Sequence, residues 1–119
     1  MANIREFHDF KDDDVVLLWL TREELPALMQ AVREVLANGS ATVALGDCRL
    51  LLKKHRATGV NLTTPGAEIC LTETDIEQLN GLVEGLVLGE ERGGHQYMDI
   101  ELPVPTLMIS VDEYPADFA

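Results

Sequence analysis

The apolar positions along the chain fall into a strand-then-helix unit that occurs twice. Residues 15–20 are a continuous apolar run, followed by Thr21 and, three positions on, by Glu24. Residues 67–71 repeat this in weaker form, followed by Thr72 and Asp75. A constant offset sets Leu18 on Ile69, Leu20 on Leu71, Leu25 on Ile76 and Leu28 on Leu79. After each threonine the apolar period changes. Leu25, Leu28, Met29, Val32, Val35 and Leu36 make one helix face, and so do Ile76, Leu79, Leu82, Val83 and Leu86.

Thr-x-x-acid predicts a capped helix start. The hydroxyl accepts from a free first-turn amide, and the acid reaches back to the threonine amide. Helices are predicted over residues 22–37 and 74–88. Asn38-Gly39 stops the first. The second carries Gly81 and Gly85, each weakening it by ~1 kcal/mol relative to alanine. Those glycines read either as a seat for another backbone or as a surface helix that leans on tertiary packing.

The remaining apolar runs read as strands. Residues 41–45 and 48–53 form a hairpin around Gly46-Asp47. Residues 60–62 are a short strand or connector. Residues 96–102 and 106–111 are strands joined by Pro103-Val104-Pro105. The order is strand, helix, strand, strand, twice over. It predicts an α+β two-layer sandwich, with a mostly antiparallel sheet and two helices on one face, built on a β-α-β-β repeat. The whole chain, 1–119, reads as one domain. Its halves are expected at 15–62 and 67–111, with a seam at 63–66 and acidic flanks at 1–14 and 112–119. The first flank is expected to be a loose arm or a short strand.

Alternation then sorts side chains between sheet faces. Leu18, Leu20, Ile69, Leu71, Leu50, Leu52, Met98 and Ile100 are expected to face the helices. Leu17, Trp19, Arg49, Leu51, Lys53, Glu68, Cys70, Tyr97, Asp99 and Glu101 are expected on the far face. Aromatic residues among charges are the anatomy of a protein interface. The competing expectation is that the N-terminal arm covers Trp19 with Phe7 and Phe10.

Charge narrows the functional classes. Twenty-one acids against nine bases give a formal net charge of −12. Phosphate contacts need lysine and arginine, so nucleic acid and anionic membrane are not expected as direct partners. A basic protein partner is, because acidic surfaces steer basic ones. No apolar run approaches the ~20 residues of a membrane span. The N-terminus lacks a signal-peptide layout, which sets the expected location as cytoplasmic. Cys48 and Cys70 show no metal spacing and read as reduced thiols. No cofactor is expected.

Chemistry is sparse. His95 and Asp99 could share a strand face as a metal or acid–base pair. The basic run Lys53-Lys54-His55-Arg56 reads as a solvated loop. Glycine-rich phosphate loops, Gly-x-Ser-x-Gly and Cys-x-x-Cys are absent from the sequence.

In size, charge and two-layer fold the chain resembles the immunity proteins that neutralise bacterial toxins, many of them nucleases with basic substrate grooves. That resemblance implies a bacterial, non-enzymatic binding protein that covers a basic toxin or nuclease domain. Asp12, Asp13, Asp14, Glu90, Glu91, Asp112 and Glu113 would then steer association. Trp19, Tyr97 and Tyr114 would anchor it. One alternative is a structural or regulatory subunit that homodimerises through the open sheet face. The other is an enzyme or metal protein using His95 and Asp99.

Overall fold

The computed structural model of the chain describes residues 2–10, 13–63, 66–89 and 94–112. Eight strands and two helices follow in the order β1 (Asn3–Phe10), β2 (Asp13–Leu20), α1 (Leu25–Asn38), β3 (Ser40–Leu45), β4 (Cys48–Lys54), β5 (Gly59–Thr63), β6 (Gly66–Leu71), α2 (Glu73–Leu88), β7 (Gly94–Asp99) and β8 (Thr106–Val111). A 3-10 turn at Arg22–Glu24 leads into α1.

The expected α+β class is present, but the strands divide between two sheets rather than forming one. The first has the order β1-β2-β8-β7 and the second β3-β4-β6-β5. Each is mixed: the outer pairs are antiparallel, and the central pairs, β2 with β8 and β4 with β6, are parallel. Replacing β1, β2, α1, β3, β4 by β5, β6, α2, β7, β8 converts one sheet order into the other. The fold therefore has an internal two-fold arrangement of β-β-α-β-β units. By topology the second unit begins at β5, ahead of the expected seam. Each sheet takes one hairpin from each unit, so neither unit can complete a sheet alone.

The acidic N-terminal flank forms an eight-residue strand. Alternation in β1 buries Ile4, and β1 pairs with β2 from Asn3↔Trp19 to Phe7↔Val15. The strand expected over 96–102 stops at Asp99. Past it the backbone turns to the other sheet: Glu101 N donates to Thr58 O (2.9 Å), and Val60 N donates to Leu102 O (2.8 Å).

The predicted capping box forms at the first helix; at the second only its hydroxyl half does, since the Thr72 amide donates to the Thr58 hydroxyl (3.2 Å) instead of to Asp75. Glu24 accepts from the amide and hydroxyl of Thr21 at 3.0 and 3.1 Å. In the second copy Thr72 Oγ1 accepts from Asp75 N at 3.2 Å. Each acid also reaches the residue that leads into its own unit's first strand. Ala2 N donates to Glu24 (3.2 Å), and the Thr58 hydroxyl bonds Asp75. The cap thus fixes both the helix start and the entry to the unit. Gly39, at φ +88°, ends α1 in the left-handed conformation, where the stop was expected.

Inward-facing side chains of both sheets and the apolar faces of both helices share one core. It includes Leu18, Leu20, Leu28, Val32, Leu52, Ile69, Leu71, Ile76, Val83 and Ile109. Gly81 and Gly85 are exposed, and a Cβ at either would meet nothing within 4 Å. They are surface positions and seat no backbone among the described residues.

Candidate functional site

Three outward-facing surfaces could carry function. The first is the outer face of the β1-β2-β8-β7 sheet. Alternation places Val15, Leu17 and Trp19 of β2 there, beside Met108 and Ser110 of β8. Val15, Leu17, Trp19 and Met108 form a second buried cluster, with half-buried Phe7 packed on it. Trp19 is 6% exposed, and its indole Nε1 is buried without a hydrogen-bond partner among the described residues. The outward orientation follows the alternation, yet this aromatic is not an open anchor. Phe7 covers it in part, as expected for that residue, while the side chain of Phe10 lies outside the described residues. The face is open at its β7 margin, where Tyr97 is 48% exposed and His95 packs edge-on against it at 5.3 Å.

The second surface is the outer face of the β3-β4-β6-β5 sheet. The two-fold arrangement makes it the counterpart of the first, but its chemistry is the opposite. Glu68 and Cys70 stand where the other sheet has Leu17 and Trp19. Arg49, Leu51 and Lys53 of β4 flank them, and Thr42, Ala44, Asn61 and Thr63 are exposed around them. Lys53 Nζ pairs with Glu68 at 3.1 Å. That pair holds the Glu68 carboxyl below its ordinary range. Half-buried Cys70 lies 3.6 Å from Glu68; burial first, and the carboxylate second, push its thiol up. A shallow depression here is lined by Thr42, Val43, Ala44, Arg49, Leu51 and Glu68.

The third surface is the helix layer. Glu23, Glu34, Glu77 and Glu84 are exposed there, with Arg33 the one exposed base among Arg22–Asn38 and Glu73–Leu88. Glu73, at the start of α2, is exposed as well and pairs with Lys54 of β4 at 3.5 Å. Residues 48–63 hold Arg49, Lys53, Lys54 and Arg56 and no acid, while the other five bases share the rest of the chain with all 21 acids.

The expected steering acids are scattered rather than gathered. Asp12, Glu90, Glu91, Glu113 and Tyr114 lie outside the described residues, as does the side chain of Asp13. Asp14 contacts His8 at 3.5 Å, opposite Glu6 at 2.8 Å. Asp112 has a structural part. Its carboxylate accepts from Arg22 N (3.2 Å) and its amide donates to Leu20 O (3.1 Å), pinning the end of β8 to the entry of α1. His95 and Asp99 sit at opposite ends of β7, opposite Ser110 and Thr106. Four residues of strand separate them by about 13 Å, so the two do not meet. Among the described residues no group of three or more histidines, cysteines and acids is placed to hold a metal, and no helix is long and apolar enough to cross a membrane.

Sequence reasoning missed the charge on the helix layer, because it sought acids in consecutive runs. Glu77 and Glu84 are seven apart, which is two helical turns, and the helical period was the signal that places them together.

No family model matches the chain, and no curated protein matches it. Among solved structures it is similar to the crystal structure of Drosophila Suppressor of Fused, with 14% identity and a TM-score of 0.51. The match covers 97% of this chain and 27% of that one. The chain therefore spans about a quarter of that protein's length, and the likeness is one of fold alone.

Proposed function

We propose that the chain is a binding domain that neutralises a basic protein by covering it with the acidic helix layer, as immunity proteins do with nuclease toxins. The observation that carries this reading is the charge of that layer, where Glu23, Glu34, Glu77 and Glu84 are exposed and Arg33 is the one exposed base among the described residues of the two helices. Exposed acids on a rigid helix pair give a fixed negative field, which speeds encounter with a basic groove. The same field would compete with nucleic acid for that groove, since both offer arrays of negative charge.

The experiment is affinity capture with the tagged chain from its native lysate at low and high salt. A basic protein should be retained at low salt and released at high salt. Its own activity, nuclease or otherwise, should fall in stoichiometric proportion to added chain. Recovery of a protein whose activity the chain leaves untouched, or binding indifferent to salt, would refute neutralisation by charge.

A further inference from the structure

The two sheets present four edge strands, and three of them carry features that discourage further pairing. β1 holds Arg5, Glu6 and His8, and its register is broken between Phe7 and Phe10. β7 holds His95 and Asp99. β5 is met by the 100–102 segment, through the Gly59–Leu102 bridge and the Val60 N to Leu102 O bond. β3, Ser-Ala-Thr-Val-Ala-Leu, has no charge, no proline and no bulge, and among the described residues it pairs with β4 alone. Native edges are ordinarily protected by such devices, and an edge without them is a template for another strand.

The hydrogen-bonding pattern says which groups are on offer. Gly46, at φ +66°, and Asp47 form a two-residue hairpin loop, which closes on the Leu45–Cys48 pair. Pairs alternate from there, so Leu45, Val43 and Ala41 bond β4, while the amides and carbonyls of Ala44, Thr42 and Ser40 point to the open edge. The same three residues direct small side chains to the outer face, and all are exposed. Small side chains leave a trough over β3, and Arg49 stands behind it on β4, exposed and without an ion pair among the described residues. A strand added beside β3 would run about 10 Å from β4, within the combined reach of an arginine and a glutamate.

The geometry points to β3 as a docking edge for an extended acidic segment of a partner protein, paired through main-chain hydrogen bonds and read by Arg49. A second copy of β3 fits less well, because it would bring another arginine to the trough instead of an acid. Strand addition of this kind takes affinity from the backbone and specificity from alternate side chains. This surface is separate from the acidic helix layer, so it stands or falls independently of the neutralising role.

The test is fluorescence anisotropy of purified chain with a labelled peptide alternating glutamate and valine, beside the same peptide with lysine for glutamate. The acidic peptide should bind and the lysine peptide should not. Arg49→Glu should weaken binding about tenfold, as like charges are then set together. Thr42→Pro removes an edge-facing amide while leaving the β4 ladder intact, and should abolish binding. The acidic peptide N-methylated at alternate residues should fail against the unaltered chain, which reads the same edge without any mutation. Absence of binding by the acidic peptide, equal binding of both peptides, or retention of the N-methylated one would overturn the assignment.

Discussion

Gly66 shows how one residue can decide a sheet. It opens β6 against the backbone of β4, and a Cβ there would lie 1.8 Å from the carbonyl oxygen of Arg49. Backbone cannot yield as a flexible side chain can. Gly66→Ala is expected to cost several kcal/mol, on the order of 3 kcal/mol, the scale of overpacking at a closed site, seen as a lower midpoint in urea unfolding. Cys70 makes a second residue-scale case. Burial and the Glu68 carboxylate disfavour its thiolate, so at neutral pH it should alkylate more slowly than a free cysteine. Glu68→Gln removes the opposing charge and should speed alkylation of Cys70 at any given pH below the thiol's range. Buried Cys48, whose thiol is raised chiefly by burial and then by Glu24, should react only on unfolding.

Helix α2 is weaker than its counterpart for a local reason. Gly81 and Gly85 meet no neighbour, so their cost is conformational freedom with nothing gained in packing. Gly81→Ala and Gly85→Ala should each stabilise the protein by about 0.5–1 kcal/mol, measurable as additive rises in thermal midpoint. The elements themselves were largely legible from the sequence. Helix faces, both threonine caps, the Gly39 stop and the Gly46-Asp47 hairpin follow from spacing and residue type. The division into two sheets was not legible. It depends on which hairpin each central strand meets, and Leu17 and Glu68 obey the same alternation whichever sheet they join. The site was legible as a list of outward positions but not as surfaces. Trp19 and Cys70 occupy matching places, yet one lies in a buried cluster and the other on an open charged face. For β1 the sequence left a loose arm and a short strand both open, because its charged residues mask the alternation that buries Ile4.

At the scale of the molecule, the exchange of hairpins between units makes the fold interdependent. Sheet β1-β2-β8-β7 needs both ends of the chain, and the other sheet needs its middle. Unfolding should be a single transition by both circular dichroism and the emission of Trp19, the one tryptophan, and neither unit should fold when expressed alone. The same arrangement sets the two unlike outer faces and the helix layer in fixed relation. The exposed acids of the helix layer are the basis of the proposed neutralising role. It is tested most directly by the association rate of the captured basic partner with the chain and with its Glu34→Gln/Glu77→Gln/Glu84→Gln variant, across a range of salt. The variant should associate more slowly at low salt, and its rate should depend less steeply on salt. An unchanged rate and an unchanged salt slope, in a variant of native stability, would contradict the acidic helix layer as the binding surface.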